Sequence, residues 1–549
     1  MLRSRFFVAG LLLAAGAVAQ RNVSGGTPIP EQTCYDVSHY QLELVVEPKA
    51  KSIVGALTMT ARALKATQRI ALDLDEAFTV TKVLVGEREA EFEHEDLRVW
   101  IDLPEAVIEG AELRVQVGYA GAPLVAKNPP WTGGFTWSTT RDGAPWIATS
   151  CQGEGADLWW PCKDQPDDEP DTMDLIVTVP SELVVAANGT LREDRREGEL
   201  RTFHWHIANP INPYCVALNI APYVILKDTY TCIDGTKTPA WFFALPESEQ
   251  KAKDAFPHFL RHLRHLEEVC GPYPFRNEKY GVVETPHLGM EHQSIIAYGN
   301  HYRLEDDGYD WLHHHELSHE WWGNLVTNRD WKDMWIHEGI GTYMQALYLE
   351  KARGFDAYQA KMRSDRGNLQ NRGPVAPKEH RDSHQIYFTL TGNDIYYKGS
   401  WICHSLRWVL GDEMFFRVLR RWAYPTAEWE SRTDGTQCRF VDTDELLAIA
   451  ERESGIELDW FFDVYLHQPR LPDLAVEEGD GIVRLRWKTP NDLPFPMPVP
   501  VRIGDEWHRV EMKDGSAEVK TGGKSVAVDP DDRILRTTQS AGRSRRRRG

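Results

Sequence analysis

His315, Glu316 and His319 have the types and spacing to do metal chemistry. They lie in the run His313-His314-His315-Glu316-Leu317-Ser318-His319. On a helix, residues four apart share a face, so His315 and His319 can offer ring nitrogens to one ion. Glu316 points aside from that face and is placed to act on water rather than on the metal. Glu338, in Trp335-Ile336-His337-Glu338-Gly339, is the third ligand expected. The interval allows one helix to end, a loop to turn back and a second helix to bring the carboxylate in. Two His and one Glu leave a coordination position open, which is the pattern of a catalytic site holding one Zn2+ per chain. A bare HExxH also occurs by chance on ordinary helices, so the pattern needs Glu338 to carry weight. His313 and His314 have no partner four residues on and read as helix-surface or supporting residues. His337 and Glu338 point about 100° apart, so only one of them can face the ion.

The elements that must position these residues are legible in the periodicity. From about 30 to 225 the pattern is strand-like. Tyr40–Leu44 and Leu113–Val117 alternate apolar and polar, with Pro and Gly clusters between such runs. One large antiparallel β domain is expected there. Over 226–465 helical spacing takes over. Ala252–Val269 reads as a helix, Tyr280–Glu284 as a buried strand, and Ile336, Ile340, Tyr343 and Leu347 share one helix face. Leu466–Pro472 reads as a linker, and 473–538 as a small β-sandwich in which Ile482–Trp487 alternates. The fold class expected is multidomain α+β: an N-terminal antiparallel β domain, a mainly helical metal-binding domain with a small sheet beside it, and a C-terminal β-sandwich.

Residues 1–19 read as a secretion signal: Arg3 and Arg5, an apolar core, then Ala17-Val18-Ala19. The protein is therefore expected to be exported, periplasmic or secreted, with no integral membrane segment after signal removal. A net charge of −20 argues against nucleic acid and anionic membranes as partners. Residues 539–549, with Arg545 to Arg548, are the basic exception and read as a disordered tail. Eight cysteines permit disulfides without assigning them. Oligomeric state is not legible.

With these residues in hand, the chain resembles the aminopeptidase N family of zinc peptidases (peptidase family M1), which also includes leukotriene-epoxide hydrolase. The extended zinc motif runs from His315 to Asn324, and Glu338 stands at the family's spacing. Gly289-Met290-Glu291-His292 is similar to the family's exopeptidase motif, and Tyr396-Tyr397-Lys398-Gly399 to its tyrosine motif. The resemblance continues upstream through Trp160–Asp164 and covers most of the chain. It implies a thermolysin-like catalytic domain and an aminopeptidase acting on peptides with a free N-terminus. It also implies Glu316 as general base, Tyr396 as oxyanion donor and Glu291 as the carboxylate that pairs with the substrate ammonium. Gly289, Met290 and Gln152 would line the substrate site. His292 departs from the usual Asn, and Leu288 from Gly or Ala, which puts the shape of the first side-chain pocket in question. Larger members carry a further helical domain after the β-sandwich, and this chain resembles a short form without it. Two rivals stay open at this point: a zinc epoxide hydrolase on the same site, and a catalytically silent peptide-binding protein.

Overall fold

The computed structural model describes residues 23–479 and 481–537. The expected signal at 1–19 and the basic tail at 539–549 lie outside the described residues.

Alternating sequence does build sheets at the N-terminal end. Tyr35–Glu47 shows the inside-outside burial alternation that a half-covered strand requires. It sits inside an eight-stranded sheet, between Thr172–Pro180 and Ser52–Ala63. The sheet is mostly antiparallel, but Tyr35–Glu47 runs parallel to Thr172–Pro180. Parallel pairing demands a long crossover. A three-stranded and a four-stranded sheet accompany the eight-stranded one, so the expected antiparallel β domain is built from several sheets.

A five-stranded sheet follows, in the order Val224–Thr231, Lys237–Ala244, Tyr280–Glu284, Ile296–Tyr298, Gly289–Met290. Its first strand, Val224–Thr231, spans the expected boundary at 225 and pairs with Lys237–Ala244, so it belongs to this sheet. The helices that build the site region are α1 (Glu249–Cys270), α2 (Trp311–Ser318), α3 (Trp335–Arg353), α4 (Phe355–Arg366) and α5 (Asp394–Leu410); His315 lies on α2, His319 caps its C-terminal end and Glu338 lies on α3. α3 is buried from Trp335 to Leu349, not on one face alone, as a helix packed on all sides must be. Two three-stranded sheets form the C-terminal end: Asp473–Gly479, Ile482–Lys488 and Ser516–Lys520; and Glu506–Val510, Val499–Ile503 and Val526–Val528. All eight cysteines are free, and seven are buried. No described helix is long and apolar enough to cross a membrane.

Candidate metal centre and active site

Helix α2 begins at a strong cap. Asp310 accepts from the backbone N–H of Leu312 and His313 at 3.0 and 3.1 Å, and also from Tyr298 Oη and Asn300 Nδ2. That satisfies donors a helix start leaves unpaired and fixes α2 against the five-stranded sheet. The chain then turns at Gly323, whose φ of 150° lies outside the range most side chains adopt, and returns through α3. Contact between α2 and α3 is close because Gly341 lacks a side chain; a Cβ there would meet Ser318 Oγ at 2.9 Å.

His315, His319 and Glu338 converge as the spacing predicts. Their ligand atoms all lie within 4.8 Å of one another. His315 Nε2 and His319 Nε2 are 3.3 Å apart, and they stand 3.4 and 3.6 Å from Glu338 Oε2. His319 Nδ1 donates to the carbonyl of Trp322 at 2.9 Å. A carbonyl can only accept, so Nε2 keeps its lone pair for the shared centre. Glu338 Oε2 is buried and has no hydrogen-bond donor among the described residues. An orphaned carboxylate oxygen facing two imidazole nitrogens fits a zinc ion by donor type and by placement. The sequence alternative is settled by direction: His337 Nε2 accepts from the backbone N–H of Asn328 at 3.1 Å, so its ring serves the loop before α3.

Glu291, Glu316 and His319 form a second, overlapping cluster within the same 4.8 Å limit. Burial pushes the Glu316 carboxyl well above its usual range, and the neighbouring Glu291 and Glu338 push it further. Burial also raises Glu291, with His319 opposing and Glu338 reinforcing the shift. Burial works the same way on Glu338, but the His315 and His319 contacts outweigh it and hold this carboxyl at about 2. Three carboxylates sharing one buried cavity repel one another, and a divalent cation relieves that repulsion.

All nine residues picked from the sequence line one cavity of about 620 Å³. Gly289 is there for a steric reason: a Cβ would lie 2.4 Å from Glu316 Oε1 and 2.7 Å from Leu312 Cδ1. Met290 pairs with Ala297 at the sheet edge, which presents Glu291 just beyond the strand. Glu291 Oε1 accepts from Gln152 Nε2 and, at 3.0 Å, from Tyr214 Oη. Asn324 donates to the Glu291 carbonyl at 3.1 Å and to Glu320 at 3.3 Å, so the extended zinc motif also tethers the Glu291 loop. Tyr396, from the first turn of α5, stands with its ring 6.1 Å from that of His315 and interacts with Glu338. Its neighbour Tyr397 also reaches the cavity lining.

Sequence reasoning missed Tyr387 and Tyr214. Tyr387 Oη donates to Glu338 Oε1 at 3.0 Å from the π-helical segment Gln385–Leu390. Such single turns recur at functional sites, but they have no sequence period to read. His313 and His314 correct the surface reading: both are fully buried. His313 Nε2 bonds Tyr280 Oη at 2.6 Å, and its ring stacks on Phe259 with centroids 3.7 Å apart. His314 packs among His262, His265 and Tyr348. Helix α1 covers them, which the sequence of α2 alone cannot show.

Layered β sheets, a helical body and a His-His-Glu centre together define a zinc metallohydrolase. Comparison narrows this further. Residues 36–215 match the Peptidase M1 N-terminal domain and residues 270–465 the Peptidase family M1 domain, more than half the chain between them. The chain belongs to peptidase family M1. It is similar to aminopeptidase N of Lactococcus lactis (23% identical over 480 residues, 82% of this chain and 53% of that protein). It is also similar to leukotriene A-4 hydrolase of Xenopus laevis (24% over 345 residues, 59% and 54%). The chain thus spans about half the length of these curated relatives. Among solved structures, an M1 zinc metallopeptidase mutant from Deinococcus radiodurans, bound to a Tyr-Ser-Ala substrate, aligns with a TM-score of 0.64. That match has 25% identity and covers 80% of this chain and 95% of that one.

Proposed function

We propose that the protein is an aminopeptidase that removes N-terminal residues from peptides. The observation that carries this reading is Glu291, a buried carboxylate beside His319, in the same cavity as the ligand triad. A carboxylate there can pair with a free α-ammonium and leave only the first peptide bond over the metal. Gln152 and Tyr214 orient it by hydrogen bonds, and the backbone at Gly289 and Met290 forms the adjoining wall.

Zinc held by His315, His319 and Glu338 would supply Lewis acidity toward the scissile carbonyl and toward water. Glu316 takes the proton of the attacking water and delivers it to the departing amine. Its raised proton affinity, caused first by burial, suits a group that must accept a proton and hold it briefly. Tyr396 donates its hydroxyl proton in a hydrogen bond to the developing oxyanion. Tyr387, bonded to Glu338, keeps that ligand's second oxygen occupied and its Oε2 directed at the histidines.

The epoxide-hydrolase alternative calls for a long apolar tunnel. This cavity has apolar walls at Trp131, Leu288, Met290, Leu312 and Phe388, but Gln152, Glu291, Gln345 and Lys361 put polar and charged groups among them, which suits a peptide better than an uninterrupted lipid chain. The silent-binder alternative requires a missing ligand or base, and none of the four is replaced. The export reading is retained as part of the proposal; N-terminal sequencing of protein recovered outside the cytoplasm should begin at Gln20.

A paired assay tests the function: one peptide with a free N-terminus and its acetylated twin, each with and without chelator. Cleavage of the free peptide alone, abolished by chelator, is expected. Equal cleavage of both would replace the exopeptidase reading with an endopeptidase one.

A further inference from the structure

We infer that Lys361 forms a carboxylate-binding subsite on the leaving-group side of the cavity, selecting peptides with a carboxylate at the second residue. That carboxylate is either the C-terminus of a dipeptide or an acidic side chain. The inference rests on the aminopeptidase reading and deepens it.

The cavity has a direction. At one end Glu291 and Glu316 lie within 4.8 Å of His319. His315 stands with its ring 6.1 Å from that of Tyr396, and from there the cavity lining continues onto α4 at Lys361, Ser364, Asp365 and Asn368. A peptide with its ammonium at Glu291 therefore crosses His319, then His315, and continues toward α4. Each residue advances the chain by about 3.8 Å, so the second residue's substituents arrive at the α4 wall.

That wall carries an unusual pair. Lys361 Nζ donates to both oxygens of Asp365, at 2.6 and 2.8 Å. Pairs four apart on a helix are ordinarily exposed and contribute little. Here the Asp365 side chain is 3% exposed and that of Lys361 is 18% exposed, and both line the cavity. Burying such a pair carries a desolvation cost that an apolar pair would avoid. The geometry turns it to use. Asp365, itself at the cavity wall, holds the ammonium in place through both carboxylate oxygens. A lysine ammonium has three donors, so the two bonds to Asp365 leave one for a ligand in the cavity that Lys361 lines. Among the described lining residues Lys361 is the lone lysine or arginine, in a chain whose net charge is −20. An anionic group arriving on the leaving-group side meets this one cation.

The test uses the full zinc-loaded chain and two matched substrate pairs: leucyl-alanine against leucyl-alaninamide, and leucyl-glutamate α-amide against leucyl-glutamine amide. The first pair reports a C-terminal carboxylate and the second an acidic side chain. In wild type, at least one carboxylate member should exceed its neutral partner in kcat/KM by about tenfold, through KM, the size of one charge-assisted hydrogen bond. Lys361→Met should remove that ratio, Lys361→Arg should retain it, and Asp365→Asn, which leaves the ammonium un-neutralised, should raise it. Ratios near one for both pairs in wild type, or a preference that Lys361→Met leaves intact, overturn the subsite while the aminopeptidase reading stands. Failure to cleave any of the four free-amine substrates overturns that reading and the subsite with it.

Discussion

Glu316 follows a metal ligand in sequence yet turns away from the ligand face, and Gly289 leaves the space it occupies. Replacing it with Gln keeps the volume and removes the base. Glu316→Gln should lower kcat by about 10²–10⁴-fold, the usual worth of a positioned acid-base group, while metal analysis still finds one zinc per chain. Activity within a few-fold of wild type would dismiss it as the base. At this scale the sequence was a good guide wherever chemistry imposes a spacing. His315 and His319 are one helical turn apart, and Gly289 and Glu291 flank a strand end; both constraints are local. Tyr387 and Tyr214 were not legible, because each reaches its carboxylate across more than forty positions from a short irregular turn. Lys361 was not legible either: a Lys and an Asp four apart on a helix are usually a solvated pair, and only the fold buries Asp365 and brings both to the cavity.

Two crossings of elements set the site, and each gives a prediction. Helices α3 and α5 touch at Gly339 and Gly399: a Cβ on Gly339 would lie 2.7 Å from the Gly399 Cα and 2.9 Å from the Ile395 carbonyl. Glu338 and Tyr396 flank this contact, so its closeness sets their separation. Gly339→Ala should cost about 1–3 kcal/mol of stability by overpacking, and should also lower kcat by displacing Tyr396 from the triad. Denaturant unfolding alongside steady-state kinetics checks both; an active variant of wild-type stability would show the crossing to be slack. The other crossing is α1 over α2, where His262, His265, His313 and His314 are buried together. Burial lowers His265 to about 3, and Lys351 adds to the shift; neither ring nitrogen has a partner among the described residues. The sign follows from proton binding. The unfolded chain takes up a proton near the ordinary 6.5 and the folded chain does not. Stability is therefore fully present above 6.5 and drains away as pH falls toward 3. In His265→Leu this drain is absent. Between pH 7 and 5 the variant should gain about 2 kcal/mol relative to wild type in urea unfolding. A difference that does not change with pH would mean His265 is protonated equally in both states.

Across the whole molecule, the cavity is assembled by parts that contribute few of its side chains. The N-terminal sheets supply Gln152 and also hang the Glu291 loop: Asn188 Nδ2 donates to the Gln293 carbonyl at 2.7 Å, and Gly189 N–H to Ser294 Oγ at 2.9 Å. The C-terminal strands supply none of the nine site residues, yet they brace α5 and the helix Asp459–Tyr465. Arg509 donates to the carbonyls of Trp408 and Val409 at 2.8 and 3.0 Å, where the last turn of α5 has no partners of its own. Trp408 Nε1 donates to Pro498, Tyr465 Oη to the Leu535 carbonyl, and Leu535 N–H to Ser405. Ending the chain after Pro472 would strip these partners at once and expose the apolar surface beneath them. Each buried polar group left unpaired costs about 1–3 kcal/mol, and a few such losses match a typical total stability of about 5–15 kcal/mol. The truncated chain should therefore aggregate or melt well below the full chain, and lose peptidase activity with every site residue still present. Circular dichroism melting and the free-peptide assay on the two chains decide it. A soluble, active truncation would mean that α5 holds Tyr396 in register through the Gly339–Gly399 contact alone.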